Sequence, residues 1–410
     1  MTIELRRITA EEWDPWYDAL EWAFGGVPES PEERGLWREL ALLDRSLGVF
    51  DEGRVVGTYG EFALGLSVPG GAVVETGGVT MVSVAGTHRR RGLLRRMMER
   101  GLAAARERGE ALSALTAAEA PIYGRFGYGI AAHSLSARVP KHRVGVAAPP
   151  PGTDEVRLTV TTPAEALARC EEVYAQLVPR RPGMLERRPG WERSVLLDPP
   201  GERGGASERR CVVAERDGRP VGYARYALKV EWDRAVPSGA VLVRDLDAVD
   251  PAAHAALLRY LLGLDLTDRV ELVGRPVDDP LVHLLSDVRR SDLQLRDRLH
   301  LRLVDVGAAL AARRYAAGVD VVLAVRDAFC PWNEGRWRLS GGPGGAVCER
   351  TTDPAELELD VRALGAAYLG GSTLAALAAA GQVGEARAGA LTPASTAFGH
   401  PVAPWLPHGF

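Results

Sequence analysis

The stretch "VTMVSVAGTHRRRGLLRRMMERGL", residues 79–102, decides how the N-terminal third of the chain is read. It opens on a β-branched run, continues through three consecutive arginines and a glycine, and closes on an apolar pattern at helical spacing. From Gly92 onward Leu93, Leu94, Met97, Met98 and Leu102 fall on one helical face, and Arg95, Arg96, Glu99 and Arg100 on the other. The spacing predicts a strand over residues 79–84, a tight turn, and an amphipathic helix. An arginine-rich first turn has the wrong sign for a helix dipole, whose N-terminal end favours negative charge. A bound anion resolves that conflict. A helix start offers unpaired N–H groups, a glycine lets a phosphate approach the backbone, and guanidiniums add charge-assisted bonds. A solvated basic helix start and a nucleic-acid patch are the competing readings.

The whole chain weighs against the nucleic-acid reading. Its formal net charge is −4, whereas dedicated nucleic-acid binders carry a basic excess over a domain or face. No second basic helix or aromatic stacking platform accompanies the run. Lys141 and Lys229 are the only lysines, so the basic residues are nearly all arginine, a bias that fits a GC-rich bacterial genome. With 410 residues and 46% hydrophobic content the chain has room for two or three domains. Cys170, Cys211, Cys330 and Cys348 form no CxxC pair, which predicts buried free thiols and no zinc or other metal site. The N-terminus interleaves acids and bases, unlike a signal peptide, and no window approaches the ~20 apolar residues of a membrane span. The expected location is the cytoplasm.

A linker is expected at residues 141–155, "KHRVGVAAPPPGTDE", and a surface loop at residues 197–208, "LDPPGERGGASE". Near residue 300, "LHLRLVDVGAALAARRY" reads as a strand running into a helix. An internal repeat joins the parts. "VFDEGRVVGTYGEFAL" (49–64) and "VVAERDGRPVGYARYAL" (212–228) are each strand, Gly-containing turn, strand, with Gly57 and Gly222 in matching places 165 residues apart. Carrying that offset forward sets Val84 on Val249, and Arg90, Arg91 and Gly92 opposite Ala255, Ala256 and Leu257. The second copy is therefore expected to keep the strand-to-helix shape and to lack its chemistry.

The run Arg89-Arg90-Arg91-Gly92-Leu93-Leu94 follows the pattern R/Q-x-x-G-x-G/A with a leucine in place of the last small residue. In this and in the longer "VSVAGTHRRRGLLRRMM", the chain resembles GNAT N-acetyltransferases of the Eis (enhanced intracellular survival) family. "IYGRFGYG" (122–129), "DDPLVHLLSD" (278–287), "DVRALGAAYLGGSTLAAL" (360–377) and a terminal phenylalanine extend the resemblance over nearly the whole chain. It implies a mixed α/β (α+β) protein: a GNAT domain over residues 1–145, a degenerate GNAT-like domain over 150–298, and a sterol-carrier-protein-like α+β domain over 299–410.

The resemblance further implies transfer of an acetyl group from acetyl-CoA to a primary amine, on an aminoglycoside, a polyamine or a lysine. Backbone groups of Val82, Ser83 and Val84 would pair with the pantetheine arm, and a backbone N–H near Val84 would hold the oxyanion. The amides of Arg90, Arg91, Gly92, Leu93, Leu94 and Arg95 would cradle the pyrophosphate, with Ala118 and Glu119 as the remaining cofactor contacts. Tyr123 would be the general acid and Tyr128 a packing residue. The carboxylate of Phe410 would be the base, although an ordinary α-carboxylate, near pKa ≈ 3.5, needs desolvation or an intervening water to serve. His408 is a candidate to share that role. Phe24, Trp37 and Met81 would line the acceptor pocket, while Gly26 stands where some relatives carry an acid. The assembly implied is a homo-oligomer, a hexamer. The alternative class is a CoA- or lipid-binding protein without catalysis, using the C-terminal domain.

Overall fold

The computed structural model describes residues 3–410 and divides into two compact units. The first runs to residue 132 and resumes at 298–404 and 408–410; the second holds 133–297 and 405–407.

In the first unit Ile3–Arg7 (β1), Leu47–Asp51 (β2), Arg54–Ser67 (β3) and Val73–Val84 (β4) are successive antiparallel neighbours. Leu112–Leu115 (β5) lies parallel to β4 and antiparallel to the end of the strand Asp292–Leu303. Helices Trp13–Ala23 (α1) and Pro31–Leu40 (α2) join β1 to β2, and Leu93–Glu107 (α3) joins β4 to β5. The predicted amphipathic helix is α3, which buries Leu93, Met97, Met98, Gly101, Leu102 and Ala105. Gly101 is the closest point of that packing. A Cβ there would stand 2.1 Å from the hydroxyl oxygen of Tyr59, which is fully buried without a hydrogen-bond partner among the described residues. Gly101→Ala is expected to cost about 1–3 kcal/mol through overpacking, read as a fall in melting temperature by circular dichroism. Tyr59→Phe in the same chain should recover only part of it, because the ring carbons Cζ and Cε1 would still stand 2.5 Å and 3.0 Å from that Cβ. A melting temperature unchanged by Gly101→Ala would mean the helix slides without cost.

The second unit pairs Gly129–Pro140 (β6, through residues 135–140), Arg269–Arg275, Ala240–Ala248, Arg219–Lys229, Arg210–Arg216 and Arg157–Thr161 (β7) in that order. In chain order, Arg210–Arg216 is β8, Arg219–Lys229 is β9, Ala240–Ala248 is β10 and Arg269–Arg275 is β11. Pro163–Leu177 (α4) starts with a Thr162/Glu165 capping box, and Pro251–Leu262 (α5) follows β10.

The repeat is present to the level of single residues. Glu52-Gly53 and Asp217-Gly218 take the same left-handed pair, with φ of 49° and 80° against 51° and 73°, as a two-residue hairpin turn requires. Each hairpin then bulges one residue before its matching glycine. Val56 is the extra residue between the pairs Phe50↔Val55 and Val49↔Gly57, and Val221 that between Glu215↔Pro220 and Ala214↔Gly222.

The second copy keeps the expected order of strand and helix but not the turn between them. Between β4 and α3 the chain spends residues 85–92 on the turn, whereas β10 ends at Ala248 and α5 begins at Pro251. Asp250 caps α5 by accepting from the N–H of Ala253 at 2.8 Å, and Pro251 fills the first helical position. The whole turn is missing there, not only its arginines.

The C-terminal part forms a separate five-stranded sheet in the order Gly345–Arg350, Gly335–Gly342, Val319–Arg326, Leu357–Asp360, Val383–Glu385. The strand-to-helix reading near residue 300 corresponds to Asp292–Leu303 and Val306–Ala312, with Asp305 capping the helix. All four cysteines are free and buried, as expected, yet Cys170 and Cys211 lie with sulfurs 3.7 Å apart. Among the described residues no helix is long and apolar enough to cross a membrane, and no group of three or more His, Cys, Asp or Glu could hold a metal.

Candidate active site

The site begins where two parallel strands part. β4 pairs with β5 only from Thr76↔Leu112 to Gly78↔Ala114, although β4 continues to Val84. Beyond Gly78 the edge that faced β5 has no strand partner among the described residues, and it includes Val82, Ser83 and Val84. A bulge lies in this stretch: Thr58 pairs with Ser83 and Gly60 with Thr80, and Met81 takes a φ of 53°. Thr58, fully buried, locks it. Its hydroxyl donates to the Met81 carbonyl at 2.7 Å, so the Ser83 hydroxyl, also 2.7 Å away, donates to Thr58.

The arginine–glycine turn follows. The Ala85 N–H donates to Val56 O at 2.9 Å, and His88 bridges Asp51 and Thr87 at 3.0 Å and 2.8 Å. Arg90 and Gly92 then adopt left-handed backbone with φ of 63° and 77°. α3 starts at Leu93 with no side-chain cap, and its first helical bond runs from Arg96 N–H to Gly92 O at 3.1 Å. The N–H groups of the first turn are therefore open. Left-handed residues leading into an uncapped helix make a concave array of N–H donors, an anion nest. Arg90 and Arg91 are exposed and make no ion pair among the described residues, while Arg95 pairs with Glu99 at 2.8 Å. A Cβ on Gly92 would meet nothing within 4 Å, which leaves open space over the nest. Among the described residues nothing satisfies this basic helix start, which leaves N–H donors and guanidiniums able to take an anion.

Tyr123 lies in the short helical turn Ala120–Phe126, with Ala118 and Glu119 exposed in the segment between β5 and that turn. Its ring packs edge-on against Tyr128 at 6.1 Å. Burial pushes its hydroxyl pKa above the ordinary value, and the nearby Glu119 adds to the shift. Tyr128 is fully buried and hydrogen-bonded to Ser113 at 2.7 Å, the packing role expected of it.

Phe410 reaches the same region. A Cβ on Gly78, the last β4 residue paired with β5, would stand 3.2 Å from the Phe410 ring. The Phe410 ring thus lies against β4 where the gap opens. His408 hydrogen-bonds the neighbouring Gly409 carbonyl through Nδ1 at 3.1 Å. Trp37 and Met81 pack on one apolar cluster with Trp13, Trp16, Tyr17 and Leu20. Phe24 is not brought to that cluster; it follows α1 and is 62% exposed. Sequence reasoning missed Thr58 and Phe329, whose ring sits under the Arg95 guanidinium at 5.2 Å, because both act through contacts far along the chain.

The second unit has the same parting of strands and fills it. β10 and β11 separate after Val243↔Leu272. Arg275 then donates across to the Leu246 carbonyl and to Asp279 at 2.9 Å. The Trp405 ring lies over that guanidinium at 5.1 Å, and its indole N–H donates to Gly274 O at 2.6 Å. Side chains occupy the groove that the first unit leaves open.

A splayed strand pair with a bulge, followed by a helix whose first turn leaves its N–H groups open, is the architecture of a GNAT fold. Acetyltransferase (GNAT) domain models match residues 4–131 and again 183–303, and a sterol carrier protein domain model matches residues 306–407. An N-acetyltransferase of Streptomyces avermitilis is 57% identical over 410 residues, covering 100% of both chains. N-acetyltransferase Eis of Mycobacterium tuberculosis is 36% identical over 393 residues, 93% of each chain. The crystal structure of Eis1 from Mycobacterium abscessus superposes with a TM-score of 0.83 at 33% identity, covering 100% of both chains. The chain belongs to the Eis family of GNAT N-acetyltransferases.

Proposed function

We propose that the protein transfers the acetyl group of acetyl-CoA to a primary amine by direct attack, with Tyr123 and the Phe410 carboxylate as its acid and base. The observation that supports the reading is the packing of the Phe410 ring against Gly78, where the β4/β5 gap opens. In this reading Val82, Ser83 and Val84 pair with the pantetheine arm, and Arg90 to Arg95 hold the pyrophosphate through their backbone N–H groups. Ala118 and Glu119 complete the cofactor contacts. The Phe410 carboxylate takes a proton from the attacking amine, directly or through a water. A backbone N–H near Val84 stabilises the oxyanion as the new C–N bond forms. Tyr123 gives its proton to sulfur as the C–S bond breaks, and its raised pKa keeps that proton in place at neutral pH.

Trp37 and Met81 offer the acceptor an apolar wall. Gly26 supplies no carboxylate, and Glu29 and Glu21 are engaged by Tyr17 and Arg34, which weakens attraction for a polycation. The acceptor classes remain aminoglycosides, polyamines and lysine side chains. Domain limits near residues 145–150 and 298–299, and assembly as a homohexamer, belong to the same proposal. The test is thiol release from acetyl-CoA over a panel of those amines. Release that depends on the amine supports the reading, and none with any member of the panel overturns it.

A further inference from the structure

The turn that carries Tyr123 is fixed from one side, by the C-terminal part of the chain. We propose that Arg302 is the positioning residue for Tyr123, its guanidinium holding the Phe126 carbonyl while Asp327 holds the guanidinium. The inference rests on Tyr123 as proton donor.

Arg302 lies on the strand Asp292–Leu303 and is fully buried. One terminal nitrogen donates to the Phe126 carbonyl, the last residue of the Tyr123 turn, and the other to Asp327 Oδ2 at 2.6 Å. Asp327 is itself held from two further directions. Asn333 donates to Oδ2 at 3.0 Å, and the Cys330 N–H donates to Oδ1 at 3.0 Å. Asn333 also accepts from the Val306 N–H at 3.1 Å and donates to the Val304 carbonyl at 3.1 Å. A planar guanidinium held at one end by Asp327 fixes the direction of its other terminal nitrogen toward Phe126, while its buried Nε has no partner among the described residues; an ammonium on a flexible stem would not be aimed in this way.

Three glycines let the turn lie directly on this support. At Gly127, with φ of 85°, a Cβ would stand 1.8 Å from Arg302 Nη1. At Gly129 it would stand 2.1 Å from the Arg362 carbonyl, and at Gly124 it would stand 3.1 Å from the Arg362 guanidinium. The tyrosine hydroxyl has no hydrogen-bond partner of its own among the described residues, so the backbone of the turn and the Tyr128 ring set its place. The loop that carries Asp327 also carries Phe329, whose ring packs on Phe126 at 5.0 Å and under Arg95 at 5.2 Å. One loop of the C-terminal part thereby touches both the tyrosine turn and the helix of the N–H nest.

The test compares the full-length protein with Arg302→Lys and with the paired change Arg302→Met/Asp327→Leu, which removes both buried charges together and leaves no lone carboxylate in the core. Each is made alone and with Tyr123→Phe, and kcat, KM for acetyl-CoA and melting temperature are measured. A displacement of about 1 Å at a reacting group costs on the order of a hundredfold in rate. The paired change is expected to lower kcat by about that factor with acetyl-CoA KM nearly unchanged, and Arg302→Lys to fall between it and the parent. In the Tyr123→Phe background neither should lower kcat further. An unchanged kcat, or a loss that multiplies with that of Tyr123→Phe, overturns the inference while leaving Tyr123 its role. Full activity of Tyr123→Phe alone overturns the underlying reading instead. Should the paired variant fail to fold, Arg302→Lys in the two backgrounds decides by the same comparison.

Discussion

Replacing Tyr123 by phenylalanine is expected to lower kcat by about two to four orders of magnitude, the contribution of a positioned general acid. The ring still packs on Tyr128, so the turn and the cofactor groove stay as they are and KM for acetyl-CoA changes little. What is lost is the proton delivered to sulfur as the thioester breaks. The pH profile carries the sign. A phenol raised above its ordinary value by burial is protonated at every pH below that raised value, so the acid form is present throughout the neutral range. Tyr123 therefore contributes no alkaline limb below about pH 10. A phenylalanine variant turning over at the parent rate would remove Tyr123 from the chemistry.

The second large effect is expected at the other end of the chain. A peptide extension after Phe410 leaves the ring free to pack at Gly78 and converts the carboxylate into an amide that accepts no proton. The expected result is a loss of about two to four orders of magnitude in kcat, with acetyl-CoA affinity by calorimetry unchanged because the nest at α3 is untouched. Deleting Phe410 should be as damaging, since the new carboxylate on Gly409 ends one residue short of the gap. If the extension is harmless and His408→Ala is not, the base is the histidine. If both are harmless, the amine reaches the site already neutral.

The parts of this architecture legible in the sequence were those written in local periodicity. The hairpin repeat held to the residue, because a two-residue turn fixes register and both copies carry the acid–glycine pair that it needs. The α3 helix was legible because its buried face recurs every three to four residues. The missing turn before α5 was not, because an offset carried along a sequence cannot see a deletion, although Asp250-Pro251 is itself a helix-start signal. Contacts between residues far apart in the chain were the least legible. Arg302 and Phe126 are 176 residues apart, Cys170 and Cys211 are 41 apart, and no spacing rule relates either pair. Phe24, placed by family position, is exposed and lies outside the buried cluster that holds Trp37 and Met81.

The contrast between the two helix starts reaches beyond catalysis. α5 carries its own carboxylate at its N-terminus, whereas α3 has none, an omission worth about 1 kcal/mol of folding stability. A diphosphate on the nest would supply the missing anion, and binding to the folded form alone adds RT ln(1 + [L]/Kd) to its stability. In the proposed reading the first unit would then gain stability with the logarithm of the acyl-donor concentration above Kd, and the second would not.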